Sequence, residues 1–101
     1  MTKILLCCAA GMSTSMMVKK MREAATSKNI DVQIDATGLD GFDTHVAEYD
    51  CILLGPQIKY KLDDFKVVAD AAGKPIAVMN TMDYGMMKGD KVLSDALAMI
   101  N

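Results

Sequence analysis

Aromatic residues are scarce in this chain of 101 residues: three tyrosines and two phenylalanines, against ten methionines. That balance implies an aliphatic, soft core. An excess of charge of one sign is missing too. Eleven basic residues against thirteen acidic ones leave a net charge of −2, which argues against an electrostatic footprint for nucleic acid or anionic lipid. No apolar run approaches the roughly 20 residues that cross a bilayer. The start, MTKILLCC, carries one lysine and a short apolar run before Gly11, which is not the layout of a signal peptide. The expected compartment is therefore the cytoplasm, with no insertion into the membrane. Three cysteines are an odd count for a disulfide framework, and no spacing pairs them as metal ligands. Reduced thiols are the default. A C-x-x-C pair is absent, and adjacent residues such as Cys7 and Cys8 rarely pair with each other, so a redox role is weak. Repeats, low-complexity stretches and Pro/Gly/Ser linkers are all missing, and residues 1–101 read as one domain.

What is present is an ordinary globular composition, 51% apolar and 24% charged. A domain of this length buries roughly 60–65% of its unfolded surface. Short apolar runs alternate with amphipathic stretches. Ile4-Leu5-Leu6-Cys7 and Cys51-Ile52-Leu53-Leu54 are continuous, Val32–Ala36 alternates, and Ile76–Met79 follows Gly73-Lys74-Pro75. Continuous apolar strands are the habit of parallel sheets buried on both faces. Between them the spacing predicts helices over Ser13–Lys28, Tyr60–Ala72 and Asp90–Ile100. The mixed segment from Thr37 to Asp50, with Gly38 and Gly41, has room for a short helix. Strands separated by helices predict right-handed βαβ units, hence an α/β domain with a four-stranded parallel sheet, order 2-1-3-4, flanked by helices. Chemistry in such folds sits beyond the C-terminal strand ends, which points to Cys7–Ser15, Gly55–Tyr60 and Asn80–Gly85.

The first of these loops carries the richest signal. It reads Cys8-Ala9-Ala10-Gly11-Met12-Ser13-Thr14-Ser15. Small residues and Gly11 let the backbone curl and turn its amides inward as an anion-binding nest. Ser13, Thr14 and Ser15 offer hydroxyls and helix caps. The helix start adds about half a positive charge. Together these make a cradle for a phosphoryl group. Cys8 stands at its first position, where a helix N-terminus favours the nucleophilic thiolate. From the residues alone two readings of Cys8 stand open: a nucleophile that takes a phosphoryl group covalently, or the last buried residue of a strand. Cys7 and Cys51 sit inside apolar runs and read as packing residues.

An arginine is missing from the cradle. Cysteine phosphatases carry one at the end of C-x5-R, whereas here Thr14 stands six positions after Cys8. Without a bidentate cation on the phosphate, hydrolysis is expected to be slow and a phosphocysteine to last. Slow loss to water suits a relay.

The stretch C-A-A-G-M-S-T-S at 8–15, with L-L-G-P-Q-I-K-Y at 53–60 and D-Y-G at 83–85, resembles enzyme IIB of the bacterial sugar phosphotransferase system, lactose/cellobiose/chitobiose family, over essentially the whole chain. The resemblance implies a fold similar to low-molecular-weight tyrosine phosphatases. It implies that Cys8 receives a phosphoryl group from a phosphohistidine on enzyme IIA. The group then passes to a sugar held by the membrane permease, enzyme IIC, with no cofactor in either transfer. An end at Asn101 implies a free-standing IIB, which suits cellobiose- or chitobiose-type systems better than lactose-type ones.

Other residues complete the expectation. Gln57 can hydrogen-bond a phosphoryl oxygen or the loop, or simply start a helix after a proline turn. Tyr60 and Tyr84 can bring a hydroxyl near the thiol or join a docking face, or be buried with satisfied hydroxyls. His45, the single histidine, reads as solvated. Met17 and Met21 read as core; Met12, Met16, Met86 and Met87 lie near the expected site as candidates for a pliable docking surface, and Met12 and Met16 read as that surface. Asp40, Asp43, Asp63 and Asp64 read as solvated faces, with no metal site. Two other functions stay open: a cysteine-dependent phosphatase or arsenate-reductase-like enzyme, and a domain that binds phosphate without covalent chemistry.

Overall fold

A computed structural model describes residues 1–8 and 12–100, leaving aside the side chains of Met12 and Ser13. Four parallel strands carry the fold: β1 (Thr2–Cys7), β2 (Val32–Thr37), β3 (Cys51–Leu54) and β4 (Ile76–Val78), in the order β2-β1-β3-β4. The helices are α1 (Met12–Ser27), α2 (Phe42–His45), α3 (Leu62–Ala71), α4 (Thr81–Gly85) and α5 (Gly89–Ile100). Tight 3₁₀ turns flank α2 at Leu39–Gly41 and Val46–Glu48, and another, Pro56–Lys61, leads into α3. This is the expected α/β architecture and the expected strand order.

Side-chain alternation along β1 divides the interior in two. Ile4 and Leu6 pack with Met17, Met21, Val92 and Leu93 beneath α1 and α5. Leu5 and Cys7 pack with Phe42, Ile52, Leu54 and Ile58 on the face carrying α2 and α3. A strand buried on both faces must be apolar at every position, which explains why β1 and β3 are continuous runs. Met17 and Met21 are fully buried, as their spacing predicted. On the second face Phe42 and Phe65 stack with ring centroids 4.1 Å apart, tying α2 to α3. At the start of α5, a Cβ on Gly89 would stand 2.5 Å from the Lys20 backbone, so only glycine lets α5 approach α1 this closely.

Helix ends follow local chemistry. Asn29, in the left-handed region at φ 57, closes α1 while Ile30 N–H bonds back to the Ala25 carbonyl at 2.8 Å. Arg22 reaches from α1 to edge strand β2, donating to the Ile34 carbonyl at 2.6 Å and to Asp35 at 3.1 Å. Tyr49 donates to the same carboxylate at 2.8 Å. These bonds lie along the edge strand, where unpaired backbone groups are otherwise open to association.

The structure corrects one reading of this architecture. Residues 80–85, read as a loop, contain α4. Asn80 caps it, its side-chain oxygen accepting from Met82 N–H at 2.9 Å and Asp83 N–H at 3.0 Å. The segment 37–50 does hold a short helix, α2.

Candidate functional site

β1 lies between β2 and β3, and the chain leaves the sheet centre in opposite directions from β1 and β3. Right-handed crossovers then put α1 and α3 on opposite faces, which opens a crevice at the C-terminal ends of β1 and β3. Cys8 follows β1 directly at that crevice. Its N–H donates to the Thr37 carbonyl at 3.2 Å, and the Gly55 N–H after β3 donates to the Cys7 carbonyl at 2.9 Å. The loop end is thereby anchored to both neighbouring strands.

The two adjacent cysteines point to different environments because strand side chains alternate. Cys7 is fully buried among Leu5, Leu54 and Ile58. Burial, with Cys8 beside it, pushes its thiol up from 9.0 to about 11. Cys51 is likewise fully buried, and burial with Asp50 nearby pushes its thiol up to about 12. Both are held as thiols at neutral pH. Cys8 instead meets the first turn of α1, where the Thr14 hydroxyl donates to its sulfur. That turn carries no acidic side chain.

Thr14 is 2% exposed, yet its oxygen has a second partner, the Tyr84 hydroxyl at 3.3 Å. Tyr84 is brought to Thr14 by α4, and hence by the Asn80 cap. Gln57, in the 3₁₀ turn after β3, donates its amide to the Tyr84 oxygen at 3.2 Å. Four side chains from four segments thus form one chain ending on sulfur. Gly55 makes the room for it. A Cβ there would stand 2.7 Å from Gln57 Oε1 and 3.0 Å from Cys8 Cβ.

The residues expected at the site fare differently. Cys8, Thr14, Gln57 and Tyr84 come together. Ser15 is exposed on α1. Tyr60 is 69% exposed, so its reading as a buried, satisfied hydroxyl does not hold. Ala9, Ala10 and Gly11 lie outside the described residues, as do the side chains of Met12 and Ser13. His45 is partly exposed and pairs with Glu48 at 3.3 Å, away from the site. Asp40, Asp43, Asp63 and Asp64 are exposed. Two positions fell inside the strand-end segments named from the sequence but were given no individual role there. Asn80 was legible as a capping residue ahead of Tyr84. Gly55 gave no signal of its own beyond ending an apolar run.

Fold and site together define a class: a doubly wound α/β domain with a nucleophilic residue type at its switch point, backed by hydroxyls rather than by a guanidinium. The family described as "PTS system, Lactose/Cellobiose specific IIB subunit" matches residues 3–95. This chain belongs to that family; it is a IIB component of the lactose/cellobiose type, a phosphotransferase-system domain. It is 42% identical over 103 residues to the galactose-specific EIIB component of Lactococcus lactis subsp. cremoris (strain MG1363) and equally to the cellobiose-specific EIIB component of Lactococcus lactis subsp. lactis (strain IL1403). In both cases 97% of this chain and 95% of the relative are covered. The solution structure of a cellobiose-specific IIB component from Borrelia burgdorferi superposes with a TM-score of 0.83 at 40% identity, covering 99% of this chain and 92% of that one. A lactose-specific EIICB component of Lactococcus lactis subsp. lactis is 29% identical over 72 residues, which are 71% of this chain and 13% of that protein.

Proposed function

We propose that the protein is a phosphocarrier: Cys8 accepts a phosphoryl group from a phosphohistidine of enzyme IIA and passes it to a sugar bound by enzyme IIC. In the first transfer the Cys8 thiolate attacks phosphorus in line. The S–P bond forms, the N–P bond breaks, and its electron pair returns to an imidazole that leaves neutral. In the second, a sugar hydroxyl attacks phosphorus, the S–P bond breaks and the thiolate is regenerated. The hydroxyl proton goes to a base on the permease, since none stands beside the sulfur among the described residues. Neither step needs a cofactor or a metal.

The observation that carries this reading is the donor chain behind Cys8, with Thr14 where a phosphatase has arginine. Hydroxyl donors support a charged sulfur and developing charge on phosphoryl oxygens. Without a guanidinium clamp, water is a poor competitor and the group survives until a partner arrives. In this proposal the residues that follow Cys8, Ala9 to Ser15, bind the phosphoryl oxygens. The lactose-specific relative bears the name EIICB, uniting C and B components in one chain, which supports IIC as the second partner. Exposed Met16 stands on α1 and exposed Met82 on α4, the helices that supply Thr14 and Tyr84, with exposed Met86 just after α4 and Tyr60 on the turn that supplies Gln57. They form a pliable face for brief docking at interfaces of about 1,200 Å² or less. No helix among the described residues is long and apolar enough to cross a membrane, in keeping with one cytoplasmic IIB domain over residues 1–101. Its sugar is of the cellobiose, chitobiose or lactose type.

The test is incubation with phosphorylated enzyme IIA. Intact mass should show one added phosphoryl group, peptide mapping should put it on Cys8, and Cys8→Ala should abolish it. A phosphoryl group mapped elsewhere would overturn the proposal. Steady turnover of p-nitrophenyl phosphate lost in Cys8→Ala would replace it with a phosphatase.

A further inference from the structure

Proton positions behind Cys8 follow from chemistry, starting at Gln57. An amide nitrogen only donates. With Gln57 Nε2 at 3.2 Å, the Tyr84 oxygen accepts there, and its own proton is left to point onward. Thr14 Oγ1, at 3.3 Å, is the next atom along. Thr14 has one hydroxyl proton, and it is given to Cys8 Sγ, so Thr14 accepts from Tyr84. Every donor therefore points towards the sulfur. Gln57 Oε1 meanwhile faces Gly55, close to where a Cβ would stand. Turning the amide over would reverse every bond. Oε1 would take the Tyr84 proton, Tyr84 would accept from Thr14, and Thr14 would accept from S–H. The reversed chain serves a neutral thiol, whereas the sense inferred from the Gln57 amide serves a thiolate.

We infer that Gln57 is a positioning residue that sets the sense of the hydrogen-bond chain through Tyr84 and Thr14 to Cys8, and so favours charge on the sulfur. Its consequence for phosphoryl transfer rests on the phosphocarrier reading; its effect on sulfur reactivity does not. Gln57 itself is exposed, so its replacement leaves the core untouched.

Two variants separate direction from shape. Gln57→Glu keeps the length and outline but presents only acceptors. Gln57→Met keeps the outline with neither donor nor acceptor of comparable strength. The first readout is the rate of Cys8 alkylation by iodoacetamide at neutral pH, with the site confirmed by peptide mapping. Cys7 and Cys51 stay silent there because their thiols are pushed up to about 11 and about 12. Gln57→Glu should slow alkylation about tenfold, the equivalent of ~1.4 kcal/mol, and Gln57→Met less. In a Tyr84→Phe background the two should converge, because the link to Thr14 is gone. The second readout is phosphoryl transfer from enzyme IIA, where kcat should fall with the alkylation rate while KM holds. A Glu variant as reactive as the parent, or a Met variant slower than the Glu variant, overturns the inference. So does a Glu deficit undiminished in Tyr84→Phe, which would mark simple charge repulsion. If the parent takes no phosphoryl group but the alkylation order holds, the phosphocarrier reading fails and the hydrogen-bond chain stands.

Discussion

Thr14 on α1 donates its hydroxyl to the sulfur of Cys8, the residue after β1, and both side chains are almost completely buried. Hydrogen bonds to charged groups contribute about 1.5–3 kcal/mol. Thr14→Val, which keeps the shape and loses the donor, should therefore slow phosphorylation of Cys8 by at least about tenfold. Thr14→Ser should retain most of the rate. Quenched-flow transfer from enzyme IIA measures both; equal rates for Val and Ser would remove the hydroxyl from the chemistry.

Gly55 leaves the gap into which Cys8 and Gln57 fit. Its backbone is extended, at φ −64 and ψ 146, so any residue could adopt it; contact forbids a side chain. The added methyl of Gly55→Ala would press on Gln57 Oε1 and Cys8 Cβ. Overpacking of this kind typically costs about 1–3 kcal/mol. A lower urea midpoint and slower transfer are both expected, and a variant with unchanged transfer would show that Cys8 tolerates displacement.

The silent cysteines govern alkaline stability. Unfolded Cys7 and Cys51 lose their protons near 9.0, whereas the folded chain holds them to about 11 and about 12. Their contribution is complete below the unfolded value and is lost as pH rises through the folded ones. The decline should approach about 1.4 kcal/mol per pH unit for each thiol. Tyr49, held up to about 12 by burial and the Asp35 carboxylate, adds to it above its ordinary 10.0. Urea midpoints measured on both sides of pH 9.0 should fall on the alkaline side. They should fall less steeply in a Cys7→Ala/Cys51→Ala variant, whatever its baseline; identical slopes would exclude the thiols.

Much of this molecule is readable in one dimension. β3 begins and ends where its apolar run does, and β1 extends that run by two residues to Thr2. α1 and α5 start within a residue of their apolar periodicity. α3 begins later than its pattern because Pro56 opens a 3₁₀ turn first, with Ile58 out of helical geometry. α4 is hidden because five residues are too few for a period to emerge. Its cap, Asn80, is a single-residue signal and easily passed over.

Within the site, the contrast between Cys7 and Cys8 follows from alternation, and the missing arginine is plain in the spacing. Tyr60 and Tyr84 are chemically alike, and no local pattern says which turns inwards. Tyr84 meets Thr14 across 70 positions, and Gln57 meets Tyr84 across 27. Contacts that distant depend on how α4 and the β3 turn pack against α1, which no window of sequence contains.

By itself the sequence determined the parallel α/β sheet, the place of Cys8 at the tip of β1, and a threonine rather than an arginine six positions on, because each is written in period, position or residue type. Only the tertiary structure decided which hydroxyls stand behind the sulfur. That depends on distances of about three ångströms between segments far apart in the chain, and packing alone sets such distances.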